Sequence, residues 1–331
     1  MRFAYLILAH RDPLQLQALV RRLLSEGPDD HVLVHYDRRS PLSDAELREL
    51  LEGLGRSVTI VPRIPCRWGH NSQVRATLLL QEAAAPLDYD YAHLISGQDW
   101  PAMPRARMAE EIQPGECYLA VDDADKTARM TDYHFDDRML GPQAHRTRFH
   151  YRTSLALRRA ARLWTKFRGP RQCPLGPSWK RGSQWWSLPK AAVDRVSQAS
   201  RALLAGGWLR HTLCADEHVV HTILYHSEFR DRLVANRRFV KWTGDGSSPE
   251  VLTASDRRAI EASGCWFARK VDRNVDPFFL EAAPAPAQLG VSSLPIASAS
   301  APSSAGIVSL RERRPRIAAS AGGGSIAPSN L

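Results

Sequence analysis

Short apolar runs and amphipathic stretches alternate along residues 1–125 of the chain. The apolar runs, which predict strands buried on both faces, are Phe3–Ala9, Val32–Tyr36, Val58–Val61 and Tyr91–Ile95. The predicted helices between them begin at Asp12-Pro13, at the capping box Ser43–Glu46 and at Ser72. Alternation of this kind favours an α/β fold, in which a mostly parallel, Rossmann-like sheet carries helices on both faces.

The pattern is less regular after about residue 126. The elements predicted there are a helix at Ser154–Phe167, a strand at Gln184–Leu188, helices at Pro189–Leu204 and Asp216–Tyr225, a strand near Arg238–Trp242 and a helix at Thr253–Ala262. We therefore expect one domain, residues 1–283, with a nucleotide-binding half at about 1–125 and an acceptor and catalytic half at about 126–283. From residue 284 the chain is rich in Ala, Pro, Ser and Gly, so we predict a disordered tail over 284–331.

The formal net charge of +10 favours an anionic partner, which could be a nucleic acid, an anionic membrane surface or a phosphate-bearing substrate. No RNA- or DNA-binding signature accompanies the basic clusters. We therefore expect no nucleic-acid partner and favour the diphosphate of a nucleotide sugar.

Cysteine usage and hydropathy bear on location. The five cysteines include no CxxC pair and no zinc-ligand spacing, which favours free thiols in a reducing compartment. Phe3–Ala9 is too short to cross a membrane, and no later segment approaches the required length. We expect a soluble cytoplasmic protein and leave open a peripheral contact with the inner membrane face.

Polar side chains follow the predicted strands at their carboxyl ends. His10 and Arg11 follow the first strand, Asp37 follows the second, and the fourth runs into Ser-Gly-Gln-Asp-Trp-Pro, which contains Asp99. Ligands of open α/β sheets bind at this edge. These residues are therefore candidates for binding a nucleotide sugar, although a turn cap is an equally common role for an isolated aspartate such as Asp37.

Several short motifs occur in a fixed order along the chain. They are His35–Ser40 (HYDRRS), Arg67–Ser72 (RWGHNS), Tyr91–Pro101 (YAHLISGQDWP), Gly182–Trp186 (GSQWW), Cys214–His218 (CADEH), Arg237–Trp242 (RRFVKW) and Phe267–Lys270 (FARK). Together they resemble the Core-2/I-branching family of glycosyltransferases, which includes branching β-1,6-N-acetylglucosaminyltransferases and peptide O-xylosyltransferases. The resemblance covers about Phe3 to Phe278. It implies a GT-A-like fold, a UDP-sugar donor carrying N-acetylglucosamine or xylose, and transfer with inversion and without a divalent metal or other cofactor.

The resemblance also implies roles for individual residues. Glu217 corresponds to the catalytic base, which the reaction needs because the attacking hydroxyl must lose its proton as the new bond forms. From the sequence alone, a first-turn acid favoured by the helix dipole is the simpler interpretation of Glu217. The residues implied in donor binding are His10, Arg11, Asp37, Trp68, Asp99, Arg269 and Lys270, with Lys270 on the diphosphate. Trp185, Trp186 and Trp242 are implied in acceptor binding; since neighbouring strand residues point to opposite faces, we expect one of Trp185 and Trp186 in the core.

One position departs from the family pattern. Family members usually carry a basic residue that faces the diphosphate where this chain has Glu250. Either the alignment of this segment is shifted, or another cation such as Arg257 or Arg258 substitutes for it, or the chemistry differs. Asp123 and Asp125 offer an alternative, a metal-dependent UDP-sugar transferase, although an acidic surface turn is the commoner meaning of such a pair. A non-catalytic nucleotide- or glycan-binding protein is a third hypothesis. The acceptor is left open among a glycan, a lipid-linked sugar and a protein hydroxyl.

Overall fold

The computed structural model describes residues 1–55, 57–122, 126–135, 148–242 and 248–281, and only the backbone at 148–151 and 281. The predicted disordered tail and the pair Asp123 and Asp125 lie outside the described residues. The strands are β1 (Phe3–Ala9), β2 (His31–Tyr36), β3 (Val58–Ile60), β4 (Tyr91–Ser96), β5 (Asp99–Pro101), β6 (Cys117–Tyr118), β7 (Val121–Asp122), β8 (Arg181–Gly182), β9 (Ser187–Pro189), β10 (Leu233–Val234), β11 (Arg238–Val240) and β12 (Phe267–Arg269). The helices are α1 (Pro13–Glu26), α2 (Asp44–Leu51), α3 (Ser72–Ala84), α4 (Arg105–Glu111), α5 (Ala128–Thr131), α6 (Arg148–Arg168), α7 (Lys190–Ala205), α8 (Val219–Tyr225), α9 (Arg257–Ala262) and α10 (Phe278–Glu281).

The described part of the central sheet has the strand order β10-β6-β9-β4-β1-β2-β3. Strands β3, β2, β1 and β4 are parallel to their neighbours in that series, whereas β9 is antiparallel to both β4 and β6. A small sheet, β11-β12-β5, and the antiparallel pair β7–β8 accompany it. The predicted α/β architecture with a mostly parallel sheet is therefore confirmed.

Both faces of the central sheet are covered. Phe3, Tyr5 and Ile7 of β1 belong to an apolar cluster that includes residues of α1, whereas Ala4 and Leu6 belong to a second cluster that includes residues of α3 and α7. Successive side chains of a strand point to opposite faces, so the two clusters lie on the two sides of the sheet. Burial on both sides explains why β1, β2 and β4 are continuous apolar runs in the sequence.

Several elements of the second half differ from the predictions: α6 is longer than the predicted helix Ser154–Phe167, and other elements are shorter or more divided. The predicted helix Asp216–Tyr225 consists of a 3-10 turn at Ala215–Glu217 followed by α8. The amide of Glu217 donates to the carbonyl of Cys214 (3.1 Å), a tighter i to i+3 bond that delays the α-helix until Val219. Glu217 is therefore not a first-turn acid of α8, which was the simpler interpretation of the sequence.

Candidate active site

The carboxyl ends of β1 and β2 lie side by side. The Asp37 amide donates to the carbonyl of Ala9 (2.8 Å), which places the segment after β2 beside the end of β1. Desolvation of the ring, together with the charge of Arg11, lowers the pKa of His10, while Asp37 opposes this shift and Lys270 adds to it. Four of the predicted donor residues, His10, Arg11, Asp37 and Lys270, therefore lie in one neighbourhood.

Asp37 is almost fully buried, and both of its carboxylate oxygens have partners. Oδ1 accepts from the amides of Arg39 (2.9 Å) and Cys66 (3.2 Å), and Oδ2 accepts from the Arg39 guanidinium (2.8 Å). Burial opposes ionisation, but the hydrogen bonds from Arg39 and Cys66 outweigh it and lower the pKa of Asp37. The half-exposed Arg39, which the sequence analysis did not single out, therefore covers the carboxylate that a ribose or base would have to reach.

Lys270 follows β12 and is partly buried. Its ammonium group donates to the hydroxyl of Ser248 (2.6 Å). Burial, and then the positive charges of Arg269 and Arg11, lower the pKa of Lys270. An anion bound in front of these cations would relieve their mutual repulsion, so the cluster suits a phosphate group.

A polar pocket of about 320 Å³ shares Arg11 with this basic cluster. It is lined by Arg11, Asp12, Gln15, Gln98, Asp272, Arg273 and Asn274. Arg11 pairs with Asp272 (3.0 Å), and Arg273 pairs with Asp12 (3.1 Å). The pocket therefore has charges of both signs and a volume in the range of small-molecule sites.

Asp99 and Arg269 form a buried pair beneath the site. The Asp99 carboxylate accepts from the hydroxyl (3.0 Å) and amide (3.1 Å) of Ser96 and lies 3.4 Å from Nε of Arg269. The Arg269 guanidinium lies 4.2 Å from the centre of the Trp185 ring. Asp99 has no exposed surface, and its carboxylate supports the segment after β4. Its predicted donor contact stays a prediction. Arg269 is buried as well and connects Asp99 to Trp185.

The four predicted tryptophans differ in exposure. Trp186 is fully buried in the apolar core, and Trp185 is the partly exposed member of the pair, as the alternation of strand residues predicted. The acceptor contacts predicted for the two rings stay predictions. Trp68 and Trp242 are 53% and 57% exposed. Aromatic rings exposed to this extent are available to stack on a sugar.

Two arginines hold the side chain of Glu217. Its Oε2 accepts from Nη1 of Arg129 (2.6 Å) and from Nε of Arg181 (3.2 Å). Arg129 belongs to α5, and Arg181 belongs to β8, where it also pairs with Asp122. Neither arginine carries a recognisable sequence signal, because both are distant from Glu217 along the chain. Glu217 is therefore a partly exposed carboxylate fixed in position from two sides.

Asp216, next to Glu217, faces the interior. Its Oδ1 is buried without a hydrogen-bond partner. The same holds for three nitrogen atoms of other residues: Nε2 of Gln81, Nε2 of Gln184 and Nε1 of Trp186. All four residues line one internal cavity of about 10 Å³, which is roughly the size that holds a single water molecule. Burial and the neighbouring Glu217 raise the pKa of Asp216 to about 7. The two adjacent acids therefore differ: the carboxylate of Glu217 is partly exposed, whereas Oδ1 of Asp216 is buried.

The segment Cys66–Gly69 connects the two sides of the site. The Cys66 amide donates to Oδ1 of Asp37 (3.2 Å), and the Gly69 carbonyl accepts from the Cys214 amide (2.7 Å). Cys214 begins the 3-10 turn that contains Glu217. Trp68 therefore lies on a short bridge between the buried carboxylate at the end of β2 and the turn of Glu217.

Glu250 is directed towards Lys241 rather than towards the ammonium group of Lys270. Its Oε2 lies 3.5 Å from Nζ of Lys241, and only its backbone carbonyl meets the amide of Lys270 (3.3 Å). Of the two arginines that the sequence suggested as substitutes, Arg257 pairs with an acid on its own helix (2.7 Å), and Arg258 is exposed on the same helix.

The potential metal ligands among the described residues do not cluster. In the part of the chain that the structure describes, no group of three or more His, Cys, Asp or Glu side chains is arranged to hold a metal ion. Asp123 and Asp125 lie outside that part, so the metal-dependent alternative is addressed by the assay proposed below.

Comparison with known proteins identifies the family of this chain. A family model described as Core-2/I-Branching enzyme matches residues 3–261. No curated protein matches the chain significantly. Among solved structures, the chain is similar to galactosyltransferase LgtC in complex with donor and acceptor sugar analogues, at 8% identity, a TM-score of 0.38 and coverage of 86% of this chain and 97% of that chain. It is also similar to a protein described as a glucose-1-phosphate thymidylyltransferase from Bacillus anthracis, at 13% identity, a TM-score of 0.36 and coverage of 80% and 95%. Likenesses this distant carry no argument about the chemistry of this chain.

Proposed function

This chain belongs to the Core-2/I-branching enzyme family and is a glycosyltransferase, and from that premise we propose that it is an inverting enzyme that needs no divalent metal. It transfers N-acetylglucosamine or xylose from a UDP-sugar to an acceptor hydroxyl, with Glu217 as the general base. The donor diphosphate binds against Lys270 and Arg11, and the acceptor approaches from the side of Glu217.

The observation that best supports this proposal is the bridge Cys66–Gly69. One end is hydrogen-bonded to Asp37, at the strand ends where a nucleotide would bind, and the other is hydrogen-bonded to the turn that carries Glu217. A transferase needs a donor site and a base separated by the reacting carbon, held in fixed relation to each other. A four-residue bridge with a hydrogen bond at each end supplies such a relation, and the exposed Trp68 lies on it.

The arrangement of Glu217 distinguishes its two oxygens. Arg129 and Arg181 both bind Oε2, so Oε1 is the oxygen placed to accept a proton. In the proposed step, the acceptor oxygen attacks the anomeric carbon while its proton passes to Oε1. The bond from the anomeric carbon to the diphosphate oxygen breaks on the opposite face, and its electron pair leaves with UDP. The arginines prevent the carboxylate from rotating away from the acceptor.

The leaving group needs positive charge, because UDP becomes more negative as the bond to the sugar breaks. Lys270 and Arg11 supply two cations, and Arg11 is close enough for its charge to lower the pKa of Lys270. Charges already oriented towards the departing oxygen stabilise the transition state without reorganisation. This role is the one that a divalent metal has in metal-dependent enzymes, and the cluster therefore supports the metal-independent proposal.

The donor and the metal requirement can be tested together. Thermal shift with UDP-N-acetylglucosamine, UDP-xylose, UDP-glucose and UDP-galactose, each with and without Mn²⁺, identifies the donor, because a ligand at 100 times its Kd stabilises the fold by about 2.7 kcal/mol. We expect a selective response to one of the first two donors and no dependence on Mn²⁺.

Donor hydrolysis and sugar transfer are then measured with EDTA. Unchanged rates support the proposal, whereas a loss restored by Mn²⁺ would favour the metal-dependent alternative with Asp123 and Asp125. Donor binding without hydrolysis or transfer to any acceptor class would favour a non-catalytic binding protein. The acceptor panel contains a soluble glycan, a lipid-linked sugar and a serine peptide, since the proposal leaves all three open.

A further inference from the structure

Helix α6 exposes an apolar stripe on its outer side. Phe167 is 80% exposed and Leu163 is 66% exposed, which is unusual for such large apolar side chains. Residues three or four positions apart share a helix face, so the exposed Ala156 and Ala160 continue the same stripe towards the helix start. The buried residues Ser154 and Ala161 lie on the other side and attach the helix to the protein.

A row of basic residues runs beside this stripe. Arg152, Arg159 and Lys166 are spaced by seven residues, two helical turns, and Arg162 lies one turn before Lys166. All four are exposed. At about 100° per residue, this row lies between the buried side of α6 and its apolar stripe. The helix therefore has three faces, of which one is attached to the protein, one is basic and one is apolar and exposed.

The apolar stripe is held firmly in place. The hydroxyl of Thr165 accepts from the amide of Tyr133 (3.0 Å), and the Trp164 ring packs at 6.5 Å from the ring of Tyr133. Trp164 is itself 44% exposed and extends the stripe through contact with Phe167 (6.1 Å). The Thr165 contact lies on the buried side of α6, so Leu163 and Phe167 on the other side are presented outward as a preformed surface.

We propose that α6 docks this protein on the surface of an anionic lipid bilayer. Large apolar side chains beside a row of arginine and lysine are what an interfacial amphipathic helix requires: the apolar face enters the headgroup region, and the cations meet the lipid phosphates. Trp164 adds an indole ring, which favours the boundary between water and lipid. The helix lies along the membrane and does not cross it, since no described helix is long and apolar enough to span a bilayer.

Charge complementarity selects the bilayer over a protein partner. The basic row has no acidic residue within it from Arg152 to Arg168, and the whole chain carries a formal net charge of +10. An interface with a second copy of this chain would bring two such rows together. A bilayer containing phosphatidylglycerol supplies the opposite charge and the apolar phase at once.

The test uses the full chain and vesicles of defined composition. Co-sedimentation is measured with vesicles of phosphatidylcholine alone and with vesicles that contain about one third phosphatidylglycerol. Each cation near an anionic surface contributes roughly a factor of five to binding. We therefore expect binding to the anionic vesicles, at least about tenfold weaker binding to the neutral ones, and loss of binding at high salt.

Two sets of substitutions separate charge from insertion. Arg159→Gln, Arg162→Gln and Lys166→Gln together should weaken binding on the order of 100-fold. Matched controls remove three exposed arginines from α1, α2 and α7, namely Arg21→Gln, Arg48→Gln and Arg195→Gln. The controls should weaken binding by less than about fivefold, since their charges lie on other elements.

The second set addresses the apolar stripe. Leu163→Ser with Phe167→Ser should weaken binding at least tenfold, given about 1.5–3 kcal/mol for each large apolar side chain that becomes buried. Leu14→Ser with Val275→Ser, two exposed apolar residues elsewhere, is the control and should leave binding unchanged. All variants should melt within about 2 °C of wild type, since they alter exposed positions.

Four results would overturn the proposal, and the first three concern vesicle binding. They are absence of binding to anionic vesicles, equal binding to neutral ones, and equal loss of binding in the control variants and the α6 variants. A fourth is concentration-dependent dimerisation that disappears in the Leu163 and Phe167 variant while vesicle binding stays, because that would assign the stripe to self-association. The proposal does not rest on the transferase reaction, so failure of either leaves the other standing.

Discussion

Replacement of Glu217 by glutamine removes the charge of the proposed base and keeps nearly the same shape. The amide oxygen can still accept hydrogen bonds from Arg129 and Arg181, but the side chain cannot take a proton from the acceptor hydroxyl. We expect kcat to fall by about 10²- to 10⁴-fold, the contribution typical of general-base catalysis. That loss corresponds to about 3–5 kcal/mol in the activation barrier. Donor affinity should not change, since Glu217 is placed on the acceptor side.

The effect on stability is smaller and follows from the same contacts. The Glu217 side chain is 29% exposed and makes two ion pairs. Exposed pairs contribute about 0.2–1 kcal/mol each, so their loss costs at most about 2 kcal/mol. This corresponds to a fall of a few degrees in Tm for a domain of this size. Loss of folded protein therefore cannot account for a hundredfold loss of rate.

The assignment of Glu217 as the base is tested on one set of preparations. Steady-state transfer kinetics measure kcat, and calorimetry measures Tm. Asp122→Asn is a matched control, because Asp122 also pairs with Arg181 and its loss weakens that arginine while keeping the base. We expect the control to lose less than about tenfold in kcat, well below the range of a base. A Glu217→Gln variant that keeps more than about a tenth of the wild-type kcat would refute the assignment. A variant that fails to fold would instead assign a structural role to the carboxylate.

Three further predictions concern the surroundings of the site. Lys270→Ala should weaken UDP-sugar binding by about 10- to 100-fold in calorimetric titration, as expected for a hydrogen bond to a charged group; unchanged affinity would move the phosphate site elsewhere. Gly182→Ala should be strongly destabilising, because a Cβ there would overlap the Ala120 carbonyl and the His221 ring, and an unchanged Tm would contradict that crowding. Burial and Glu217 raise the pKa of Asp216 to about 7, so the folded chain holds a proton that the unfolded chain releases near pH 4. Stability should therefore fall as pH rises from about 4 to about 7, and Asp216→Asn should remove this dependence in urea unfolding at pH 5 and pH 8.

The parts of the fold that the sequence predicted are those with strong local signals. The strands β1, β2 and β4 are continuous apolar runs because both of their faces are buried, and α1 begins where Asp12 caps the amide of Gln15 (3.0 Å). The capping box at Ser43 and Glu46 is present with both of its hydrogen bonds. In the second half, the sequence predicted strands near β9 and β11 but missed β8, β10 and β12, which are too short for any periodicity to show.

The candidate site depends more on tertiary packing. The alternation of strand residues predicted that one of Trp185 and Trp186 lies in the core, but not that it is Trp186. The burial of Asp99 comes from the small sheet β11-β12-β5, of which the sequence predicted β11 but neither β12 nor β5. Arg129 and Arg181 were missed because an ion pair between distant segments leaves no pattern at either one. Arg39 is different: it lies two residues after Asp37, but the sequence does not show that its side chain turns back onto that carboxylate.

The partners of Glu217 have a consequence for inactivation. Arg129 and Arg181 are 88 and 36 residues away from it in sequence and belong to short elements outside the central sheet. Such elements open locally at a lower free energy than the core strands. Opening of α5 or β8 would release the carboxylate while the sheet stays folded. Enzymatic activity should therefore decline at urea concentrations below the main unfolding transition, so that residual activity reports the integrity of these two short elements rather than that of the whole fold.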